Sequence, residues 1–187
     1  MLPERFCREE VSDAVRRRKR LCNADDPRGF AGSVFHHIRE TVYAGRNRDK
    51  DAFDLIVPVY RDYCERYADG KIILMGDSAG GGLSLALAEY FRMEGIRLPD
   101  ELVLISPWVD TVMENEEIKA YEPKDPFLCV SSLRVCARHW AGDLDVHDWR
   151  ISPIYGDMKG IHNVTVFTGT SEIFYPDITK FFHMLDS

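Results

Sequence analysis

Apolar side chains along FDLIVPVYRDYCERYADG fall at Phe53, Ile56, Val57, Tyr60, Tyr63, Cys64 and Tyr67, while Arg61, Asp62, Glu65 and Arg66 take the opposite face. This spacing predicts an amphipathic helix from Phe53, bent near Pro58 where a backbone N–H is missing, and stopping at Gly70. KIILM (71–75) then breaks the helical period with a short run that does not alternate, which suits a strand covered on both faces of a parallel sheet. The helical period returns in AGGGLSLALAEYFRMEG from Ala79, with Leu83, Leu87 and Phe91 on one side and Gly95 as the stop.

Two further buried strands are predicted at ELVLIS (101–106) and VTVFTG (164–169). Between them lies a longer excursion, residues 110–160, with a helix at Ser131 to Trp140 and a turn at SPIYGD. YPDITKFFHML, after Glu172, opens one more helix. Helices alternating with apolar strands are the mark of an α/β fold with a parallel sheet, flanking helices and right-handed crossovers.

Residues 1–52 fit this scheme poorly, with a basic run from Arg16 to Arg20 and no clear buried strand. The reading therefore divides the chain into an atypical basic segment, 1–52, and an α/β core, 53–187. The first 50 residues carry 12 Lys and Arg against 8 Asp and Glu, and the remainder 12 against 23, so the two parts have opposite net signs. Five basic residues flanked by acids read as a solvated face, and the overall charge of −7 argues against a nucleic-acid partner. With 187 residues, 45% of them hydrophobic, the chain can bury a substantial core.

No run of about 18 apolar residues is present to form a membrane-spanning helix, and the N-terminus has no apolar stretch of the kind a secretion signal needs. Cys7, Cys22, Cys64, Cys129 and Cys136 are odd in number and include no C-x-x-C pair. Free thiols and a cytoplasmic location are the corresponding expectations.

The chemistry concentrates at Gly76-Asp77-Ser78-Ala79-Gly80, which matches G-x-S-x-G. A strand before it and a helix after it make the sharp turn that exposes a serine hydroxyl, with glycine two residues to either side to relieve collisions. Ser78 is thus the candidate nucleophile. The helix start that follows offers the Ala79 N–H, with Gly80 beside it, to a developing oxyanion. A phosphate-cradling loop would need Lys after the glycines, where Leu83 and Ser84 stand. A serine needs a base and an acid that orients the base. Glu172 just past the VTVFTG strand is the favoured acid, and Asp110 after LISPWV the second candidate. Asp143, Asp145, His147 and Asp148 lack the later Gly and Glu of a calcium loop and read as a solvated loop.

Four segments in order, GDSAGGG, LISPWVD, SPIYGD and GTSEIFYPD, resemble the hormone-sensitive-lipase-like branch of the α/β-hydrolases, and more narrowly its bacterial esterases and lipases. The resemblance covers roughly residues 53–185. It implies a serine carboxylic-ester hydrolase acting through an acyl-enzyme on a small-molecule ester, with no cofactor and no metal. It also implies Ser78 as nucleophile, Ala79 as oxyanion donor and Glu172 as triad acid. Transfer of the acyl group to an acceptor other than water is the variant of the same chemistry.

Two parts of the family pattern have no counterpart. Residues 1–75 contain no His-Gly-Gly, since FHHIRE has the histidines without the glycines, and no histidine follows Glu172 at the family's distance. His36, His37, His139, His147 and His162 precede the acid, and His183 sits in the helix immediately after it. The expectation is an incomplete copy lacking the early strands and the last strand, with an open sheet edge able to pair with another copy. The alternative function is a catalytically silent remnant or interaction domain.

Overall fold

A computed structural model describes residues 49–185; residues 1–48, which hold the Arg16–Arg20 run, Cys7, Cys22, His36 and His37, lie outside it. Among the described residues the chain runs α1 (Asp49–Arg66), β1 (Ile73–Asp77), α2 (Ala79–Met93), β2 (Glu101–Ile105), α3 (Val130–Ala141), β3 (Val164–Phe167) and α4 (Tyr175–Leu185). Short 3-10 turns at Glu116–Ala120, Glu122–Lys124 and Pro153–Tyr155 punctuate the excursion between β2 and β3. The three strands form one parallel sheet in the order β1-β2-β3.

The helix α1 starts ahead of Phe53 and passes through Pro58 as one continuous element. Its buried stripe begins at Ala52, which is too small to register as the start of an apolar period, and continues through Phe53, Ile56 and Tyr60. The strand β1 is displaced toward the C-terminus of the predicted KIILM run and includes Gly76 and Asp77. Pairing explains the shift: Gly76 and Asp77 stand opposite Leu104 and Ile105, so the partner strand holds the chain extended up to the turn.

Leu102, Val103 and Leu104 of β2 are all buried, as a central parallel strand requires. The expectation of full burial fails at β3, where Thr165 and Phe167 are exposed and Val164 and Val166 half-buried. Among the described residues β3 pairs with β2 alone and is an edge strand, and its exposed side chains, Thr165 and Phe167, share one face by strand alternation.

The helix α2 is buried on more than the one side its leucine spacing predicts, because Leu85, Ala86, Ala88 and Glu89 are buried with Leu83, Leu87 and Phe91. It packs on β1, β2 and the Pro153–Tyr155 turn and shares one apolar cluster with α1 and Ile154, where Tyr60 stacks on Phe91 with ring centroids 3.9 Å apart. Its end is a full Schellman motif: the Ile96 N–H reaches the Phe91 carbonyl at 2.8 Å, the Gly95 N–H reaches Arg92 at 3.3 Å, and Gly95 has φ 63°.

A second apolar cluster packs Trp108, Met113, Ile118, Leu133 and Ala137 against Ile173, Phe174 and Ile178. The excursion after β2 is thereby locked to the segment that follows β3. Arg134 of α3 tightens this connection by donating to the carbonyls of Val112 at 3.2 Å and Met113 at 2.9 Å.

Candidate functional site

The site is built where strands β1, β2 and β3 end. Ser78 joins β1 to α2 with φ 51° and ψ −121°, in the left-handed half of backbone space that a side-chain-bearing residue seldom occupies. Four backbone bonds hold it there. Its N–H donates to the Ile105 carbonyl at 2.9 Å, and its carbonyl accepts from Gly81 at 3.0 Å, Gly82 at 3.2 Å and Trp108 at 2.9 Å. The side chain makes no capping bond to its own helix, and the residue is exposed. Gly81 and Gly82 use the Ser78 carbonyl, which leaves the N–H groups of Ala79 and Gly80 at the open N-terminal end of α2.

The glycines divide the steric work unequally. A Cβ on Gly76 would overlap the carbonyl oxygen and carbon of Gly80, so this position must be glycine. A Cβ on Gly80 would meet only the Asp77 Oδ1 at 4.0 Å, so the expected collision at the second motif glycine does not occur. Gly80 matters through its backbone, which closes onto Gly76. Close approach to the segment after β2 instead falls on the next two residues: a Cβ on Gly81 would lie 2.8 Å from the Pro107 Cβ, and one on Gly82 would overlap the Trp108 carbonyl oxygen.

Glu172 sits half-buried beyond the end of β3. One carboxylate oxygen accepts from the Ser106 hydroxyl at 2.9 Å and the other from the Thr168 hydroxyl at 3.2 Å. Its loop is clamped from outside the strand: Asp125 accepts from the Ile173 N–H at 3.1 Å, and Phe174 stacks on Trp108 with centroids 5.8 Å apart. The Asp125 carboxyl, which also accepts from the Phe127 and Leu128 N–H groups, titrates below its ordinary value even though its desolvation opposes the shift.

Trp108 therefore contacts both halves of the site, binding the Ser78 carbonyl through its N–H and the acid loop through its ring.

Asp110, the second acid candidate, is 3% exposed and engaged elsewhere. It accepts from the Val112 N–H at 2.9 Å and from the Tyr155 hydroxyl at 3.0 Å. Burial, reinforced by the Asp110 charge, raises the Tyr155 phenol above its ordinary value. Nearby Asp177 is pushed up to about 6 by burial, against the stabilising bond from Asn115. A cleft of about 630 Å³ lined by Asp110, Glu114, Glu117, Tyr155, Lys180 and His183 opens beside this group, and neither Ser78 nor Glu172 lines it.

His183 thus faces a different feature. His139 bonds through Nδ1 to the Val135 carbonyl, and His147 to Asp145 at 2.8 Å. Among the described residues no histidine is hydrogen-bonded to Ser78 or Glu172. The acidic loop is likewise internally engaged, with Asp145 turned to His147 and Asp148 to Arg150.

Motif spacing pointed to Ser78 and its helix start, and strand-end position pointed to Glu172. Ser106 carries the same strand-end signal, directly after a buried run, but no motif marks it in the sequence. Glu89 and Asp177 had no local signal, since a carboxylate in a helix reads as solvated until tertiary packing covers it.

A family described as the alpha/beta hydrolase fold matches residues 47–187. The chain is 30% identical over 133 residues to an esterase of Acinetobacter venetianus, covering 70% of this chain and 44% of that protein. It is 32% identical over 108 residues to an acetyl-hydrolase of Streptomyces hygroscopicus, covering 58% of this chain and 36% of that one. Among solved structures, a hormone-sensitive lipase from a metagenome library superposes with a TM-score of 0.70 at 28% identity, over 75% of this chain and 48% of that chain. The chain spans less than half the length of these relatives.

Proposed function

The chain belongs to the α/β-hydrolase fold family, with esterases and hormone-sensitive lipases among its relatives, and from that premise we propose that Ser78 is the nucleophile of a carboxylic-ester hydrolase. The observation that carries the reading is the backbone of Ser78, held at φ 51° with its side chain exposed at the N-terminus of α2. Strain of this kind costs on the order of 1–3 kcal/mol and persists where the surrounding structure enforces it.

In this reaction the Ser78 oxygen attacks the ester carbonyl while a base takes its proton, and the carbonyl π pair moves onto oxygen. The Ala79 and Gly80 N–H groups meet that oxyanion. Its collapse expels the alcohol, which takes up the proton, and water repeats the sequence to release the acid and free Ser78. Glu172 is the acid that orients the base. The substrate class is a small-molecule ester.

A second reading, a catalytically silent interaction domain, is favoured by the absence of any histidine hydrogen-bonded to Ser78 or Glu172 among the described residues. Incubation with a fluorophosphonate separates the two. Hydrolase chemistry predicts a single adduct on the Ser78 peptide, absent in Ser78→Ala, and a folded chain that stays unlabelled supports the silent domain.

The division into a basic segment, 1–52, and a core, 53–187, belongs to the same proposal, as does self-association. Among the described residues β1 and β3 each pair with β2 alone, leaving unpaired backbone groups on their outer edges. Sedimentation velocity is expected to show concentration-dependent dimers; a monomer at every concentration removes the edge-pairing idea.

A further inference from the structure

We propose that Ser106 is a positioning residue for the Glu172 carboxylate, an inference that rests on the reading of Glu172 as the triad acid. Ser106 occupies the end of β2, between the strand that leads to Ser78 and the strand that leads to Glu172. Its N–H donates to the Phe167 carbonyl at 2.6 Å, and the residue before it, Ile105, accepts the N–H of Ser78. Its hydroxyl donates to Glu172 Oε1 at 2.9 Å.

The backbone of Ser106 has φ 44°, in the left-handed region where glycine would be relaxed and a side chain costs energy. A strained position that nevertheless carries a side chain, and directs that side chain onto the acid, points to the hydroxyl as what is used there. Thr168 holds the other carboxylate oxygen at 3.2 Å, so the two donors together fix the carboxylate plane. A base would then find the remaining lone pairs in one orientation. Thr168 is the weaker partner, because its hydroxyl also lies 3.5 Å from the Gly169 carbonyl.

The test is carboxyl-13C NMR at a single pH of the chain labelled at glutamate, with the Glu172 signal identified by its loss in Glu172→Gln. The Glu172 carboxyl signal is expected to move in Ser106→Ala and equally in Ser106→Gly, which both remove the hydroxyl donor, and to move less in Thr168→Val. The glycine variant relaxes the backbone, so it covers the case in which the alanine variant folds poorly. It also separates the two roles: a residue needed only for its backbone leaves the signal in place in Ser106→Gly. An unmoved Glu172 signal in the folded glycine variant overturns the proposal. The readout does not depend on turnover, so failure of Ser78 to label with a fluorophosphonate counts against the hydrolase reading and leaves this result standing.

Discussion

Gly76→Ala is expected to destabilise the chain by more than about 3 kcal/mol, whereas Gly80→Ala, at the other glycine of the same motif, is expected to be neutral or stabilising by about 0.5–1 kcal/mol. The difference lies in what each added methyl meets. At Gly76 it enters the space of the Gly80 carbonyl, which is backbone and cannot rotate away. The strand β1 cannot retreat either, because Gly76 is paired in register with Leu104. At Gly80 the methyl finds no neighbour nearer than 4.0 Å and replaces glycine with a better helix former in the first turn of α2. Urea denaturation of the two variants checks this. Equal losses at both positions would mean that the turn is held by something other than the Gly76–Gly80 approach.

Glu89→Gln is expected to stabilise the chain by about 3 kcal/mol at pH 7, with the gain vanishing near pH 4.5 and growing toward pH 9. Glu89 is 1% exposed on α2, and its carboxyl fills the place where a Cβ on residue 156 would sit. Burial is the largest influence and pushes its pKa from 4.5 up to about 9, outweighing the bond from the Asp157 backbone and the nearby Arg92 charge.

The folded state therefore keeps a proton that the unfolded chain releases, and folding takes up that proton everywhere between the two values. Stability falls through this window by roughly 1.4 kcal/mol per pH unit. The cost is absent below the unfolded value and complete above about 9. A glutamine has no proton to take up and keeps the shape of the neutral acid. Urea midpoints across pH 4.5–9 read the effect directly, and a difference between variant and parent that does not change with pH would rule the mechanism out. Asp177, pushed up to about 6, contributes a smaller loss of the same sign, beginning near its ordinary value of 3.8 and complete by about pH 6.

Much of the fold was legible because the sheet is parallel and its central strand is covered on both faces. Leu102 to Ile105 is an unbroken apolar run, and the burial of Leu102, Val103 and Leu104 follows. The ends of elements were less legible. The limits of β1 depend on Leu104 and Ile105, which lie in another strand, and the exposure of Thr165 and Phe167 on β3 depends on what packs over that face. The hydrophobic period of α2 identified one buried side, while packing on both sides covered Glu89, which local spacing reads as solvent-facing.

By itself the sequence determined the chain's α/β class, the strand-to-helix turn that carries Ser78, the need for glycine at 76, and the placing of Glu172 beyond a strand end. These follow from local patterns, because a short apolar run, a glycine spacing and a helix period are each set by neighbouring residues. Only the tertiary structure decided that Gly81 and Gly82 answer to Pro107 and Trp108, that Asp110 turns to Tyr155, and that Ser106 and Thr168 hold the Glu172 carboxylate. Each of these depends on parts of the chain brought together by strand pairing or by packing beside the sheet, and pairing partners and burial are properties of the assembled sheet.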